Sequence, residues 1–459
     1  MSERRFDVVV LGSGTAGREA ADRLAQAGLS VAIVEPELVG GECIFYACMP
    51  SKSLLRPEEA LTEARRIPGA AQAAAGELDV AAVLARRDEV NHHLEDSSYL
   101  PGFEALGIEL VREHGRLDGT RRVRAGDDVL VAGKAVIVAT GSRAAMPPID
   151  GLRDAQSWTN RELTTAEAAP PRLTILGGGA VGAEMGQAWC TLGSEVTLIE
   201  ASDRLLGREE PFAAEQVATS LRERGVDVRL GARAVAVRRE RTGGEVTIRL
   251  DQGPDVNADE LAVAVGRRPR TDDLGLETVG LEPGKWIDVD DQLRATAVDG
   301  DWLYAIGDVN ARALLTHISK YHARVAADNI LGKSAAATAD GPGSPRVLFT
   351  DPQVAAVGHT LQSALDAGLN VHAVDAPTSG NAGGTFYGIN AVGTTRLVVD
   401  DDRGIVVGAT ITGSEVADFL QAATIAVVGE VPLERLAHAI PAFPTRSEVW
   451  SNLMAQLGF

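Results

Sequence analysis

The sequence predicts an α/β fold built around two dinucleotide-binding units and closed by a smaller segment of different design. Three observations carry this. The apolar run Phe6 to Leu11 leads directly into Gly12-Ser13-Gly14-Thr15-Ala16-Gly17. The same design returns at Leu173 to Leu176 and Gly177-Gly178-Gly179-Ala180-Val181-Gly182. Beyond a Gly/Pro/Ala-rich linker, Ser334 to Pro345, come the strand-like runs VLFT, AVGTTRLVVD and GIVVGATIT with two helical stretches and no glycine loop.

In the first unit the glycine loop opens an Ala-rich helix that ends near Gly28, and a second strand, Ser30 to Val34, ends in Glu35. The glycines allow a tight turn, close approach of the backbone to a pyrophosphate, and close helix packing, while Glu35 can accept the ribose hydroxyls. Strand, turn, helix, strand and terminal acid in this order define a Rossmann-type site, where a lone glycine motif would not. From Arg56 to about Leu110 the pattern is helical, its basic pairs read as solvated faces and His92 and His93 as exposed. The apolar strand in Lys134 to Ser142 ends in Ala139-Thr140-Gly141, small enough for a ligand to approach the backbone. The unit pauses near Pro147-Pro148.

The second unit repeats the order, with a helix through Leu192, a strand Glu195 to Ile199 and the terminal acid Glu200. A carboxylate there repels a 2′-phosphate, so the site is expected to prefer NADH over NADPH, with Arg204 near enough to weaken that preference. The unit closes at Leu261 to Arg270, and a further apolar strand, Trp302 to Asn310, carries Gly307-Asp308, whose acid can hold a polar cofactor chain. Two dinucleotide sites in one chain point to hydride transfer between nicotinamide and flavin.

A formal charge of -20 argues against nucleic acid and anionic membrane as partners, and no apolar run is long enough to span a bilayer. The N-terminus enters a strand almost at once, which leaves no room for a signal peptide, so the cytoplasm is expected. Three cysteines in a reducing compartment do not make a structural framework. Cys43 and Cys48, in Gly40-Gly41-Glu42-Cys43-Ile44-Phe45-Tyr46-Ala47-Cys48-Met49-Pro50-Ser51-Lys52, are separated by four residues near a predicted helix start. They can meet if the first turn is distorted, and a helix N-terminus favours a thiolate. A redox-active pair is favoured over a metal site, because no second pair at zinc spacing accompanies it. Cys190 reads as a buried helix residue.

Taken together, GSGTAG, GGECIFYACMPSK, ATGS, GGGAVGAE, VGRRP, YAIGD and FTDPQVAAVG resemble, in order and spacing, the flavoprotein disulfide reductase family that includes lipoamide dehydrogenase, glutathione reductase and mercuric reductase. The resemblance implies FAD and NAD(H) as cofactors, with NADP(H) less favoured. It also implies a redox-active Cys43–Cys48 disulfide in which Cys48 lies against the flavin and Cys43 meets substrate. Lys52 and Glu184 would pair near the flavin. Gly12, Gly14, Gly17, Glu35, Gly41, Gly115, Thr140, Gly141, Asp308 and His317 would serve FAD, and Gly177, Gly179, Gly182, Glu200 and Gly266 the nicotinamide coenzyme. Residues 1–148 and 268–343 would form the FAD-binding and central parts, 149–267 the NAD(P)-binding domain, and 344–459 an α+β dimerisation domain. The active sites of the resulting homodimer would be shared between subunits.

One departure bears on function. The family's thiol-handling members carry a C-terminal His-Pro-Thr-x-x-Glu whose histidine shuttles protons, and here the stretch is Phe443-Pro444-Thr445-Arg446-Ser447-Glu448. A positioned acid or base contributes about 10²–10⁴-fold, so ordinary dithiol–disulfide exchange should be slow. His438 is five residues displaced. Phe45 and Tyr46, between the cysteines, suit either the core or an apolar substrate pocket. The expected activity is therefore NAD(P)H oxidation through FAD and the cysteine pair onto a non-standard small-molecule acceptor. The alternatives are carbon–sulfur cleavage like that of ketopropyl-coenzyme M carboxylase, or quinone (diaphorase-type) reduction. Mercuric ion reduction relies on a C-terminal cysteine pair, which the stretch SNLMAQLGF lacks.

Overall fold

The computed structural model describes residues 2–389 and 391–459. The chain divides into two compact units, each assembled from three stretches: 1–50, 88–145 and 267–341 in the first, and 51–87, 146–266 and 342–459 in the second.

In the first unit the strand Ser2–Leu11 lies between Val31–Val34 and Asp128–Val138, parallel to both, with Glu109–Val111 and Leu303–Ala305 extending the parallel sheet. Parallel strands covered on both faces read as unbroken apolar runs, which is why Val8 to Leu11 and Val31 to Val34 show no alternation. Val8, Val10 and Ile33 pack with Ala20 and Leu24 of the helix Thr15–Gln26 and with Ala323 of the helix Thr316–Ile330. Val9, Leu11 and Val34 turn to the other face, against Leu130, Val136 and Leu276. The first strand starts earlier than its apolar run suggests. Ser2 to Phe6 pair with Asp128 to Ala132, a polar extension that hydrophobicity alone does not reveal.

The stretch expected to be helical holds the helices Cys48–Arg66, Ala70–Ala73, Val80–Val90 and Leu100–Leu106, and by Glu109 the chain is already strand. His92 and His93 are exposed and, with Leu94, adopt φ of 55°, 52° and 58°. These left-handed residues lie just beyond the helix Val80–Val90, whose right-handed path they cannot continue.

In the second unit a four-stranded parallel sheet runs Asp227–Leu230, Glu195–Glu200, Arg172–Leu176, Glu260–Val263. Trp189 is fully buried against it and donates its indole N–H to the Leu163 carbonyl at 3.0 Å, so its one polar atom is satisfied. The C-terminal part is a five-stranded antiparallel sheet, Arg346–Leu348, Gln353–Gly358, Ile405–Gly413, Thr394–Asp400, Val371–Pro377, backed by the helices Leu420–Val428 and Val449–Gln456. The predicted fold class holds: two Rossmann-type sheets and a C-terminal α+β layer. No helix among the described residues is long and apolar enough to cross a membrane, and no cluster of metal-binding side chains occurs among them.

One carboxyl of the second unit makes stability pH-dependent. Burial, with Glu415 and Glu59 as neighbours, pushes Glu63 up to about 7, against the opposing pull of Arg56 and Arg66. A group whose folded pKa is raised contributes stability that is complete below the unfolded value of 4.5 and lost as pH rises through 7. Glu63→Gln is therefore expected to be more stable than wild type at about pH 8, by about 1 kcal/mol after solvent screening. Denaturant titrations of both proteins should show this difference shrinking towards zero as pH falls to 4.5.

Candidate active site

The two glycine loops are steric copies of each other. At Gly12, φ is +98° and an added Cβ would come within 2.6 Å of the Ala139 carbonyl oxygen; at Gly177, φ is +107° and the clash would be 2.5 Å from that of Ala264. A Cβ on Gly17 would lie 1.9 Å from the Gly12 oxygen, and one on Gly182 1.8 Å from the Gly177 oxygen. Gly14 and Gly179, by contrast, face open space. The first and third glycines are thus needed for packing, and the second leaves room for a phosphate beside the free N–H groups of a helix start. Neither helix carries an acid in its first turn.

The strand-end acids repeat this symmetry. Glu35, almost fully buried, accepts hydrogen bonds from the Ser13 backbone N–H and hydroxyl, both at 2.9 Å, and from the Glu37 N–H at 2.8 Å. Glu200 accepts from the N–H groups of Gly178 at 2.6 Å and Ser202 at 2.7 Å. Each carboxylate clamps its own glycine loop and keeps further lone pairs for a ribose. Arg204 donates to the Gly207 carbonyl at 2.9 Å.

The remaining candidates for the first cofactor lie in the first unit. Gly41 backs onto Gly14, where an added Cβ would be 2.9 Å from its Cα, and the Gly40 N–H bonds the Ser13 carbonyl at 3.1 Å. Gly115 has its α-carbon against Leu11 and Val34, so a side chain there would strike both. Thr140 Oγ1 is buried with no hydrogen-bond partner among the described residues, and Gly141, at φ +70°, faces open space. Asp308 accepts a 2.5 Å hydrogen bond from Ser142, whose hydroxyl in turn accepts from Arg267 at 2.6 Å. Burial pushes the Asp308 carboxyl up, and Ser142 and Arg267 pull it back. His317 is exposed in the first turn of Thr316–Ile330. Open loop glycines, an orphaned buried hydroxyl and a carboxylate with lone pairs to spare fit an FAD in this unit. Gly266, with φ of +140°, also faces open space.

The cysteine stretch forms two helices. Gly41–Phe45 ends at Tyr46, whose φ of -135° breaks the turn before Cys48–Arg66 begins. This is the distortion that the spacing demands. Phe45 is fully buried beneath Gly40 and belongs to the core, leaving only half-buried Tyr46 at a position able to line a pocket. Arg270 holds Glu42, next to Cys43, at 2.9 Å. Both sulfurs meet one hydroxyl: Thr316 Oγ1 donates to Cys43 Sγ at 3.2 Å and lies 3.3 Å from Cys48 Sγ. Sequence reasoning did not single out Thr316; its helix-opening position was readable, its reach to sulfurs far upstream in the chain was not.

In the second unit Lys52 Nζ bonds Glu184 Oε2 at 2.7 Å. Glu184 is buried, and its other oxygen accepts the Phe349 N–H at 2.9 Å. Lys52 also sits 5.0 Å from the centre of the Phe349 ring. The pair predicted from sequence is thus formed and buttressed by a stretch, around Phe349, that was noted only as a motif. Phe443 is 77% exposed. Glu448 Oε2 accepts the Gly383 N–H at 3.2 Å, and Arg446 stacks 3.8 Å from the Tyr387 ring centre, so the loop around Gly383 is fastened to the C-terminal loop. His438 is exposed. Cys190 is half-buried rather than fully so; burial pushes its thiol up and its S–H donates to the Arg224 carbonyl, which marks it as unreactive.

Comparison with known proteins bears on the whole chain. Residues 6–329 match the family described as pyridine nucleotide-disulphide oxidoreductase, and residues 344–454 match the dimerisation domain of that name. Dihydrolipoyl dehydrogenase from Thermus scotoductus is 34% identical over 97% of this chain and 96% of its own length. Mercuric reductase from Lysinibacillus sphaericus is 30% identical over 98% of this chain and 82% of its own. Among solved structures, the Cu(II) complex of the HOCl-induced flavoprotein disulfide reductase RclA from Escherichia coli superposes with a TM-score of 0.85 at 25% identity, covering 99% of this chain and 100% of that one.

Proposed function

The chain belongs to the pyridine nucleotide-disulphide oxidoreductase family, and on that premise we propose that it is an NADH-preferring flavoenzyme whose Cys43–Cys48 pair hands electrons to an acceptor other than a standard dithiol or disulfide. FAD-dependent oxidoreduction with a pyridine nucleotide is the family's activity, and the dimerisation domain supports a homodimer. The observation that carries the finer reading is the meeting of both sulfurs at one hydroxyl, Thr316 Oγ1, in the unit that contains the first glycine loop.

In this reading, residues 1–148 and 268–343 hold FAD through Gly12, Gly14, Gly17, Glu35, Gly41, Gly115, Thr140, Gly141, Asp308 and His317. Residues 149–267 hold NADH through Gly177, Gly179, Gly182, Glu200 and Gly266. Residues 344–459 bring two copies together. Bound FAD would supply two-electron exchange between reduced nicotinamide and the disulfide. Cys48 is the sulfur on the flavin side and Cys43 the one that meets substrate. Lys52 and Glu184 join the proposed catalytic set as an ion pair, in which the buried carboxylate holds the ammonium charge. Preference for NADH is supported by the Glu200 carboxylate, which two backbone N–H groups fix where a 2′-phosphate would enter, and by the engagement of Arg204 with Gly207.

A non-standard acceptor is supported by the C-terminal loop. Phe443 provides an apolar, exposed ring where the family's thiol reductases carry a proton-shuttling histidine, and Glu448 bonds the Gly383 backbone instead of an imidazole. With Phe386 and Ile389, also exposed, it offers an apolar surface for the second copy and its substrate cleft. Mercuric ion is disfavoured, because Cys190 is the only cysteine outside the pair.

Anaerobic titration of the FAD-loaded protein with NADH and with NADPH tests the reading. NADH is expected to bleach the flavin at lower coenzyme concentration and to raise a long-wavelength thiolate band that Cys48→Ser lacks. A band that persists in Cys48→Ser, or equal response to both coenzymes, would refute the corresponding part.

A further inference from the structure

We propose that Thr316 is a catalytic residue that relays a proton between Cys43 and Cys48, so that the pair exchanges its one proton internally although position 443 supplies no base. This rests on the redox pair proposed above. A hydroxyl has one proton to give and two lone pairs with which to accept. Thr316 Oγ1 donates to Cys43 Sγ at 3.2 Å, so towards Cys48 Sγ, at 3.3 Å, it acts as acceptor. That arrangement suits a thiolate at Cys43 and a thiol at Cys48, and the mirror arrangement suits the reverse.

The disulfide takes up two electrons and one proton to become one thiol and one thiolate. In the relay, the S–H bond of Cys48 breaks as its proton passes to Thr316 Oγ1, while the original hydroxyl proton passes to the Cys43 thiolate. The hydroxyl is regenerated, one proton has moved between sulfurs, and no electron count changes. The two transfers must be concerted, because a free alkoxide or oxonium at a threonine is far less stable than either thiol form. The reverse relay matters most for turnover. A proton resting on Cys43 leaves the substrate-facing sulfur as an unreactive thiol, and passing it to Cys48 restores the nucleophile.

Two features reinforce this geometry. Thr316 is the first residue of the helix Thr316–Ile330, which has no side-chain N-cap bond and no acid in its first turn, so the positive end of its dipole lies beside the sulfurs and favours a thiolate there. The break at Tyr46 sets Cys43 and Cys48 on separate helices, Gly41–Phe45 and Cys48–Arg66, and so lets both face the same oxygen.

The test compares wild type, Thr316→Val and Thr316→Ser as FAD-loaded proteins. Each is reduced with dithiothreitol, freed of it anaerobically, and alkylated with iodoacetamide across a pH series, with Cys43 and Cys48 followed separately by mass spectrometry. Losing a hydrogen bond to a thiolate should slow alkylation of Cys43 near neutral pH about tenfold or more in Thr316→Val, with its pH profile moved upward. Thr316→Ser should restore both. An unchanged rate and profile in Thr316→Val would overturn the proposal, and so would equal slowing in Thr316→Ser, which would assign the effect to packing. Repeating the reduction of wild type with NADH separates the two ideas. If dithiothreitol exposes the effect of Thr316 but NADH yields no alkylatable pair, the redox reading of the pair fails and the catalytic role of Thr316 fails with it, while its hydrogen bonding to both sulfurs stands.

Discussion

Cys43→Ser is expected to lower NADH-driven turnover of any acceptor that passes through the cysteine pair by about 10⁴-fold or more, the scale seen when a covalent nucleophile is removed. Electron transfer from NADH to a quinone, which can take electrons from reduced flavin directly, should survive. The substitution is conservative in volume, at a half-buried position of a five-residue helix whose anchor is the fully buried Phe45, so folding and FAD retention should be unaffected. A steady-state screen of disulfides, quinones and mercuric ion with both proteins therefore sorts acceptors by route. An acceptor reduced equally fast by Cys43→Ser does not use the pair. If every acceptor behaves so, the sulfurs are not on the electron path.

Phe443→His is expected to raise the rate with small disulfides by roughly 10- to 100-fold, the lower part of the range for a positioned base. Position 443 is largely exposed, so the smaller imidazole leaves no core cavity and meets no clash. The gain should fall short of the full range because Glu448, the natural orienting carboxylate for such a histidine, already accepts the Gly383 N–H. Since the neutral imidazole is the base, the gain should grow as pH rises through about 6.5 and flatten above it. A variant with no gain at any pH would mean that the shape of the acceptor pocket, and not the missing base, limits exchange.

What could be read from the sequence was whatever local sterics or charge dictate. Gly12, Gly17, Gly177 and Gly182 are required by contacts with carbonyls a few residues away or at the neighbouring strand's end, and the spacing of the motif already encodes that. Glu35 and Glu200 stand at strand ends, whose positions follow from the length of the apolar runs. The Lys52–Glu184 ion pair came from motif resemblance, since nothing local to either residue specifies the other. What escaped was set by chain crossings. Thr316 reaches the cysteines through a packing of the first unit that has no signature in its neighbours. The bond from Gly383 to Glu448 joins the C-terminal loop to a stretch that carries no motif of its own. Phe45 was ambiguous because an aromatic residue between two cysteines suits a core and a pocket equally; only its burial decides.

The near-identity of the two glycine loops constrains how this chain can change over evolutionary time. With clashes of 1.9 and 1.8 Å waiting for any Cβ at Gly17 and Gly182, neither loop can drift towards a preference of its own without losing the turn. On the proposed cofactor assignment, discrimination between an adenine dinucleotide bound for keeps and one that comes and goes falls to the segments just after Glu35 and Glu200. These differ: one continues into Glu37, whose carbonyl accepts a hydrogen bond from Arg112 at 2.7 Å, and the other into Ser202 and Arg204. The loops act as a shared socket and the following few residues as its address, so exchanging those short segments is the most economical way for this lineage to acquire a new coenzyme habit.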